Sequence, residues 1–181
     1  MVRKLTYEDY ALIPDDGLRH EILDGEHYVS PVPPLRHQDT AGSLFVELFS
    51  FVEVRRMGRV FFGPLDILLS EHDIAQPDLL FISNERSGIL KEANVEGAPD
   101  LLVEVLSDST RQIDEGIKWR IYERFGVREY WLVDPKLRRV TIFRHTGKGF
   151  GPAETLSAEA GDVLTTPLLP GLEIRVSEIF E

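Results

Sequence analysis

The run Pro99-Asp100-Leu101-Leu102-Val103-Glu104-Val105-Leu106 sets the strictest condition on how this chain can fold. It has the composition of a β-strand, yet Glu104 interrupts its apolar residues. An ionised carboxylate buried without a partner is too costly to persist. The fold must therefore bring a second acid, a cation or a metal to Glu104, or raise its pKa. A second strand-like run, Gln76-Pro77-Asp78-Leu79-Leu80-Phe81-Ile82, also opens on Pro-Asp. Side chains alternate along a strand, so Leu102, Glu104 and Leu106 share one face, and Asp78, Leu80 and Ile82 share another. If the two strands pair, Asp78 and Glu104 project from the same side. Two carboxylates on neighbouring strands offer the oxygen ligands that a hard divalent cation such as Mg²⁺ prefers.

The rest of the chain supplies elements to hold such a pair. A short helix is expected over 6–12, ending before Pro14. A hairpin is expected over Arg19–Ser30, because Asp24-Gly25 suits a tight primed turn. Leu44, Phe45, Leu48, Phe49 and Val52 recur at helical spacing and place a helix over about Arg36–Met57, closed by Gly58. Strands are expected near Val60–Phe62, Leu65–Leu69 and Asp78–Ile82, a short helix over 84–93, and then the Glu104 strand. Ser107-Asp108-Ser109-Thr110 offers N-cap oxygens to a helix reaching Phe125. Strands over Glu129–Val133 and Arg138–Phe143 join at Asp134-Pro135, and one more strand is expected near Leu172–Val176. Mixed strands flanked by two long helices predict an α/β or α+β fold with one central sheet, in a single domain over 1–181.

Composition narrows the function classes. The chain has 181 residues and no cysteine, which excludes disulfides and thiolate metal sites. No apolar run has the length of a membrane span, and Met1–Asp9 lacks the apolar core of a signal peptide, so a cytoplasmic location is expected. A net charge of −11 argues against a general nucleic-acid-binding surface. The charge is uneven, however. Residues 111–144 hold nine Lys and Arg (Arg111, Lys118, Arg120, Arg124, Arg128, Lys136, Arg138, Arg139, Arg144) against five Asp and Glu. That excess is either a solvated face or a patch that touches phosphates.

In the helix after Glu104, Asp114, Lys118 and Tyr122 are spaced by four and form a polar stripe beside the apolar stripe Ile113, Ile117, Ile121 and Phe125. Lys118 at that boundary could lay its stem over the sheet and bring its ammonium to Glu104, or it could simply pair with Asp114. Pro77-Asp78 with Glu104 following resembles the PD-(D/E)XK nuclease superfamily. The lysine usual two positions after the second acid is here Leu106, and Lys118 on the next helix is placed to substitute for it. His20-Glu21-Ile22-Leu23-Asp24-Gly25-Glu26, Arg36-His37-Gln38, Ala98–Ser107 and Arg128–Pro135 extend the likeness, over about residues 7–144, to the Uma-type family of bacterial restriction-endonuclease-like proteins.

The resemblance implies a restriction-endonuclease-like core, a central mixed sheet flanked by helices with an N-terminal hairpin. It also implies a cytoplasmic, metal-dependent endonuclease acting on DNA, with homodimers compatible. Asp78 and Glu104, with the Val105 carbonyl, would hold Mg²⁺ or Mn²⁺. Lys118 would be the catalytic lysine and Glu21 a further acidic member. Two alternatives stay open: a catalytically inactive binding module on the same fold, and a regulatory oligomer using Val127–Val133 as an interface strand. His37, Asp100 and Tyr122 read respectively as a capping or surface residue, a turn acceptor and a packing residue.

Overall fold

The computed structural model describes residues 3–181. Helix α1 (Tyr7–Tyr10), shorter than expected, is capped reciprocally by Thr6 and Asp9. Strands β1 (Arg19–Leu23) and β2 (Glu26–Ser30) form the hairpin, turning at Asp24 and Gly25, whose φ values of 52° and 80° are those a primed turn needs. Helix α2 (Leu35–Arg55) follows, then β3 (Gly58–Phe62), β4 (Ile67–Ser70), β5 (Asp73–Ala75) and β6 (Leu79–Ser83). A 3₁₀ turn, Asn84–Ile89, stands where a short helix was expected. After β7 (Val95–Glu96) and β8 (Leu101–Val105) comes a π-helical stretch, Ile113–Lys118, continued by α3 (Trp119–Arg124). Strands β9 (Glu129–Asp134), β10 (Arg139–Arg144), β11 (Glu154–Ser157), β12 (Val163–Leu164) and β13 (Ile174–Arg175) complete the order, followed by the 3₁₀ turn Val176–Phe180.

The main sheet is mixed, with order β11-β10-β9-β8-β6-β3. Its one parallel pair, β8 with β9, is joined by the π/α3 crossover, as a parallel connection requires. Strand β6 runs antiparallel to β8 with Leu79 opposite Val103 and Leu80 opposite Leu102. Continued by one residue, that register sets Asp78 opposite Glu104 on the same face. A second sheet, β2-β1-β5-β4-β7, carries the hairpin. The fold is thus a mixed α+β architecture with helices on the central sheet, as the sequence predicts.

Both faces of the central sheet are covered. On one, Leu79, Phe81, Leu101, Val103 and Val105 pack against Leu44, Leu48 and Val52 of α2 and against the C-terminal tail. On the other, Leu80, Leu102, Leu106 and Leu132 pack against Ile121 and Tyr122 and against Leu23 and Ile67 of the second sheet. Each such leucine or valine contributes about 1.5–3 kcal/mol by leaving water. This apolar reserve offsets the desolvation of Glu104, which lies on the second face.

Two expectations are corrected here. Strand β9 lies inside the sheet between β8 and β10, with Tyr130 and Trp131 fully buried, so Val127–Val133 offers no free edge to a second copy. Asp100 is no turn acceptor at a strand mouth. It is fully buried, accepts the Ser83 N–H at 2.7 Å and meets Arg128 at 2.9 Å, tying β6, β8 and the approach to β9 together.

Candidate active site

Lys118 is buried, and its Nζ lies 3.0 Å from Glu104 Oε1, 2.9 Å from Glu21 Oε1 and 3.4 Å from Asp114 Oδ1. Three chain segments supply those acids. Glu104 comes from β8, Glu21 from β1 of the second sheet, and Asp114 from one turn earlier on the same helix. The Tyr122 hydroxyl donates to Glu104 Oε1 at 3.0 Å, and Glu21 Oε1 also accepts the Gln76 N–H at 2.7 Å. The π-helical turns make this possible. Within Ile113–Lys118 the buried residues are Asp114 and Lys118, while Ile113 and Ile117 are only half-buried. The expected polarity of the segment is therefore inverted, with the polar stripe facing the sheet. The Tyr130 hydroxyl, donating to the Asp114 carbonyl at 3.0 Å, anchors the widened turn, a feature common at functional sites.

Asp78 makes a second group. Its Oδ1 accepts from Arg19 at 2.9 Å, and its Oδ2 accepts the Val105 N–H at 2.8 Å and lies 3.0 Å from His37 Nε2. Val105 thus meets Asp78 through its N–H. His37 is buried, not a surface cap, and its Nδ1 has no hydrogen-bond partner. Together the two groups hold four carboxylates against two permanent cations, Arg19 and Lys118.

The protonation of the site follows from that imbalance. Burial drives the Glu104 pKa well above the usual carboxylate range, with Asp114, Asp78 and Glu21 adding to it against Lys118. Burial likewise pushes Asp114 up to about 6. Burial opposes the charge on Lys118, but Glu104, Glu21 and Asp114 outweigh it, and Lys118 stays an ammonium well above the normal lysine range. Burial also opposes the charge on Asp78, yet His37, Arg19 and the Val105 N–H hold its pKa at about 2.

A pH dependence with a definite sign results. Asp114 titrates near 3.8 when free and near 6 when folded, so in that window the folded state binds more protons. Stability contributed by this group is full below the window and falls as pH rises through it. Asp78 acts oppositely, stabilising above its ordinary value of 3.8 and losing that stabilisation as pH falls toward 2. Urea midpoints measured at pH 4.5 and pH 6.5 are expected to fall across that interval, and to fall distinctly less in Asp114→Asn. Parallel profiles for the two proteins would exclude Asp114 as the source.

Glu21, Asp78, Glu104 and Asp114 all line an inner space of about 10 Å³, room for about one water-sized particle. Four hard oxygen ligands are the chemistry that suits Mg²⁺ or Mn²⁺. Asp114 Oδ1 is buried without a hydrogen-bond partner, so the donor set has unused capacity. The donor types therefore suit a hard divalent cation. Among the described residues no three acids or histidines already converge as a ready cage, because Lys118 and Arg19 hold them. Arg19, His37 and Asp78 also line a larger outer cleft of about 310 Å³, so they form the wall between the cleft and the inner space.

The structure gathers Glu21, Glu104 and Lys118 directly, and sets Asp78 beside them on the paired strand. Sequence reasoning missed Arg19, set His37 aside, and read Asp114 only as a possible partner of Lys118, a pairing that the structure shows. The signal for Asp114 was its spacing of four from Lys118. Arg19, at the mouth of an ordinary hairpin strand, gave none. Five cations of the basic run over 111–144 are tied to acids: Arg111 pairs with Asp134, Arg124 with Asp73, Arg128 with Asp100, Arg144 with Glu129 and, on the surface, Lys136 with Asp108.

Comparison with known proteins bears on the family and the fold. A family model described as "Putative restriction endonuclease" matches residues 7–177, extending past the motif-bearing part into the C-terminal tail. The chain is also similar to a crystal structure titled as a "putative nuclease belonging to DUF820" from Anabaena variabilis ATCC 29413, with a TM-score of 0.81 over 97% of both chains. At 20% identity that likeness is one of fold. No curated protein matches the chain. Among the described residues no helix is long and apolar enough to cross a membrane.

Proposed function

Because this chain belongs to the Uma2 family, whose description is "Putative restriction endonuclease", we propose that it is a divalent-metal-dependent endonuclease that hydrolyses phosphodiester bonds in DNA. The observation that carries the reading is the Lys118 ammonium 3.0 Å from Glu104, on a strand paired with the one that Asp78 precedes. Asp78 and Glu104, with the Val105 carbonyl, would hold Mg²⁺ or Mn²⁺. The bound ion would polarise the phosphate and lower the pKa of an attacking water.

The residues divide the remaining work. Lys118 is held as an ammonium, so its part is to stabilise charge on the phosphoryl oxygens. Glu21 is a positioning residue that holds Lys118 from the second sheet. Tyr122 orients Glu104. A catalytically inactive module is the second reading, favoured by the closure of the inner space around acids already paired with cations. Asp78 reaching the outer cleft, and Lys118 facing Glu104, support the enzyme instead.

Cation binding should stabilise the fold, because the site forms only in the folded chain. At a Mn²⁺ concentration of one hundred times Kd the gain is about 2.7 kcal/mol. For a chain of this length that raises Tm by roughly 5–10 °C. Thermal melts with and without Mn²⁺ check this, alongside cleavage of supercoiled DNA. Asp78→Asn is expected to remove the shift. No shift at millimolar Mn²⁺, together with no cleavage of any DNA form, would sink the nuclease reading.

A further inference from the structure

We propose that the outer cleft above Asp78 is a pocket for one nucleotide, and that the DNA this protein acts on is unpaired at the reacting position. The inference rests on the nuclease reading and adds the substrate class to it. The cleft is about 310 Å³, at the lower end of small-molecule sites, which run from about 300 to 1,000 Å³. A volume of that order suits one base with its sugar and phosphate.

One end of the cleft suits a phosphate. Arg19, paired with Asp78, lines it beside the buried His37, whose Nδ1 is unpartnered. The 21-residue α2 begins there at Pro34, with no side-chain cap on its free N–H groups and no acid in its first turn. Its partial positive charge is therefore left for an anion. Exposed Arg36 adds a full charge to the same turn.

The other wall suits a base. Pro31, Val32, Phe62 and Pro64 line it, with Val32 72% and Phe62 40% exposed although both are apolar. Gln38 and Gln76 line the same cleft, and the buried Gln76 Oε1 lacks a hydrogen-bond partner while its amide nitrogen is spent on Tyr10 and Asp66. An apolar and aromatic platform, with an unsatisfied acceptor and a cationic end, has the parts of a single-strand site. Of the nine cations in 111–144, five are paired with acids and Lys118 is buried among three more, so among the described residues that run leaves few free charges for a duplex backbone, and the net charge is −11. A paired nucleotide would have to leave the stack to reach Asp78, which is easiest where pairing is already broken.

The test uses one DNA sequence in three forms: intact duplex, duplex with an unpaired loop, and single strand. Cleavage is followed with Mn²⁺, and binding separately by fluorescence anisotropy with Ca²⁺. The expected result is at least about tenfold tighter binding of the two unpaired forms, a preference lost in Phe62→Ala with Val32→Ser, where a stacking surface is removed. Both positions are exposed, and unchanged melting of the double variant confirms that it folds. Equal binding of all three forms, no binding of any, or a preference that survives the double substitution would overturn the cleft assignment. Preferential binding of unpaired DNA with no cleavage would leave the assignment standing and remove the nuclease reading.

Discussion

Glu104→Gln is expected to reduce metal-dependent cleavage by roughly 10³-fold, because a metal held by its ligands supplies several kcal/mol of transition-state stabilisation. The same substitution is expected to leave the fold as stable as before, or more so. Glutamine has the shape of a protonated glutamate, and burial already drives Glu104 toward that neutral form. It can still accept from Tyr122 and Lys118, which lie 3.0 Å away in the native protein. What it removes is the option of a desolvated charge there, which burial and the surrounding acids oppose. Opposite effects on activity and stability mark a residue kept for chemistry rather than for folding. Cleavage rates and urea midpoints of the two proteins, measured at one pH, decide the matter. A variant that cuts DNA at the native rate would remove Glu104 from the site.

Lys118→Met is expected to abolish cleavage and to lower stability by about 3–5 kcal/mol at pH 7, the range for removing one partner of a buried ion pair. Methionine fills much of the lysine stem's volume, so the loss reports the missing charge, not a cavity. Glu104, Glu21 and Asp114 would then share the inner space without a common cation. Two conditions should recover part of the loss. At pH 5, below the value of about 6 for Asp114, a proton takes the place of the ammonium. In Lys118→Met with Glu104→Gln, one of the stranded charges is gone, and a coupling of about 0.5–3 kcal/mol between the two sites should appear. Urea denaturation of the four proteins of that cycle supplies the measurement. If Lys118→Met unfolds at the native midpoint, the ammonium is not what neutralises these acids.

Much of the architecture was legible because local rules agreed with the global arrangement. Asp24-Gly25 fixed the hairpin, helical spacing over 44–52 fixed α2, and two Pro-Asp runs of apolar residues gave β6 and β8. Given their pairing, which the sequence left as a condition, the juxtaposition of Asp78 and Glu104 followed from side-chain alternation. The site was half legible. Glu104 announced itself as a charge out of place, and Lys118 was found through its distance from that strand. The depth of Asp114 and Lys118 was not visible, because a spacing of four was read on a regular α-helix, whereas the π turns carry those residues inward and leave Ile113 and Ile117 half-buried. Arg19 and His37 depend on where β1 and α2 converge on Asp78, a tertiary fact with no local signature. The cations of 111–144 looked like a surface patch for the same reason: their acidic partners lie in distant segments.

The cluster around Lys118 also bears on the order in which the chain assembles. Glu21 enters from the hairpin near the start of the chain, Glu104 from the middle of the central sheet, and Lys118 from the crossover that follows. None of these charges gains by leaving water before the others arrive, so the contact belongs late in folding, after loop closure between remote segments has been met. By the same logic it is among the first to part when the hairpin lifts. The amides of β1 should therefore exchange with solvent in step with the opening of the acidic chamber, making this strand the natural reporter on access to the site.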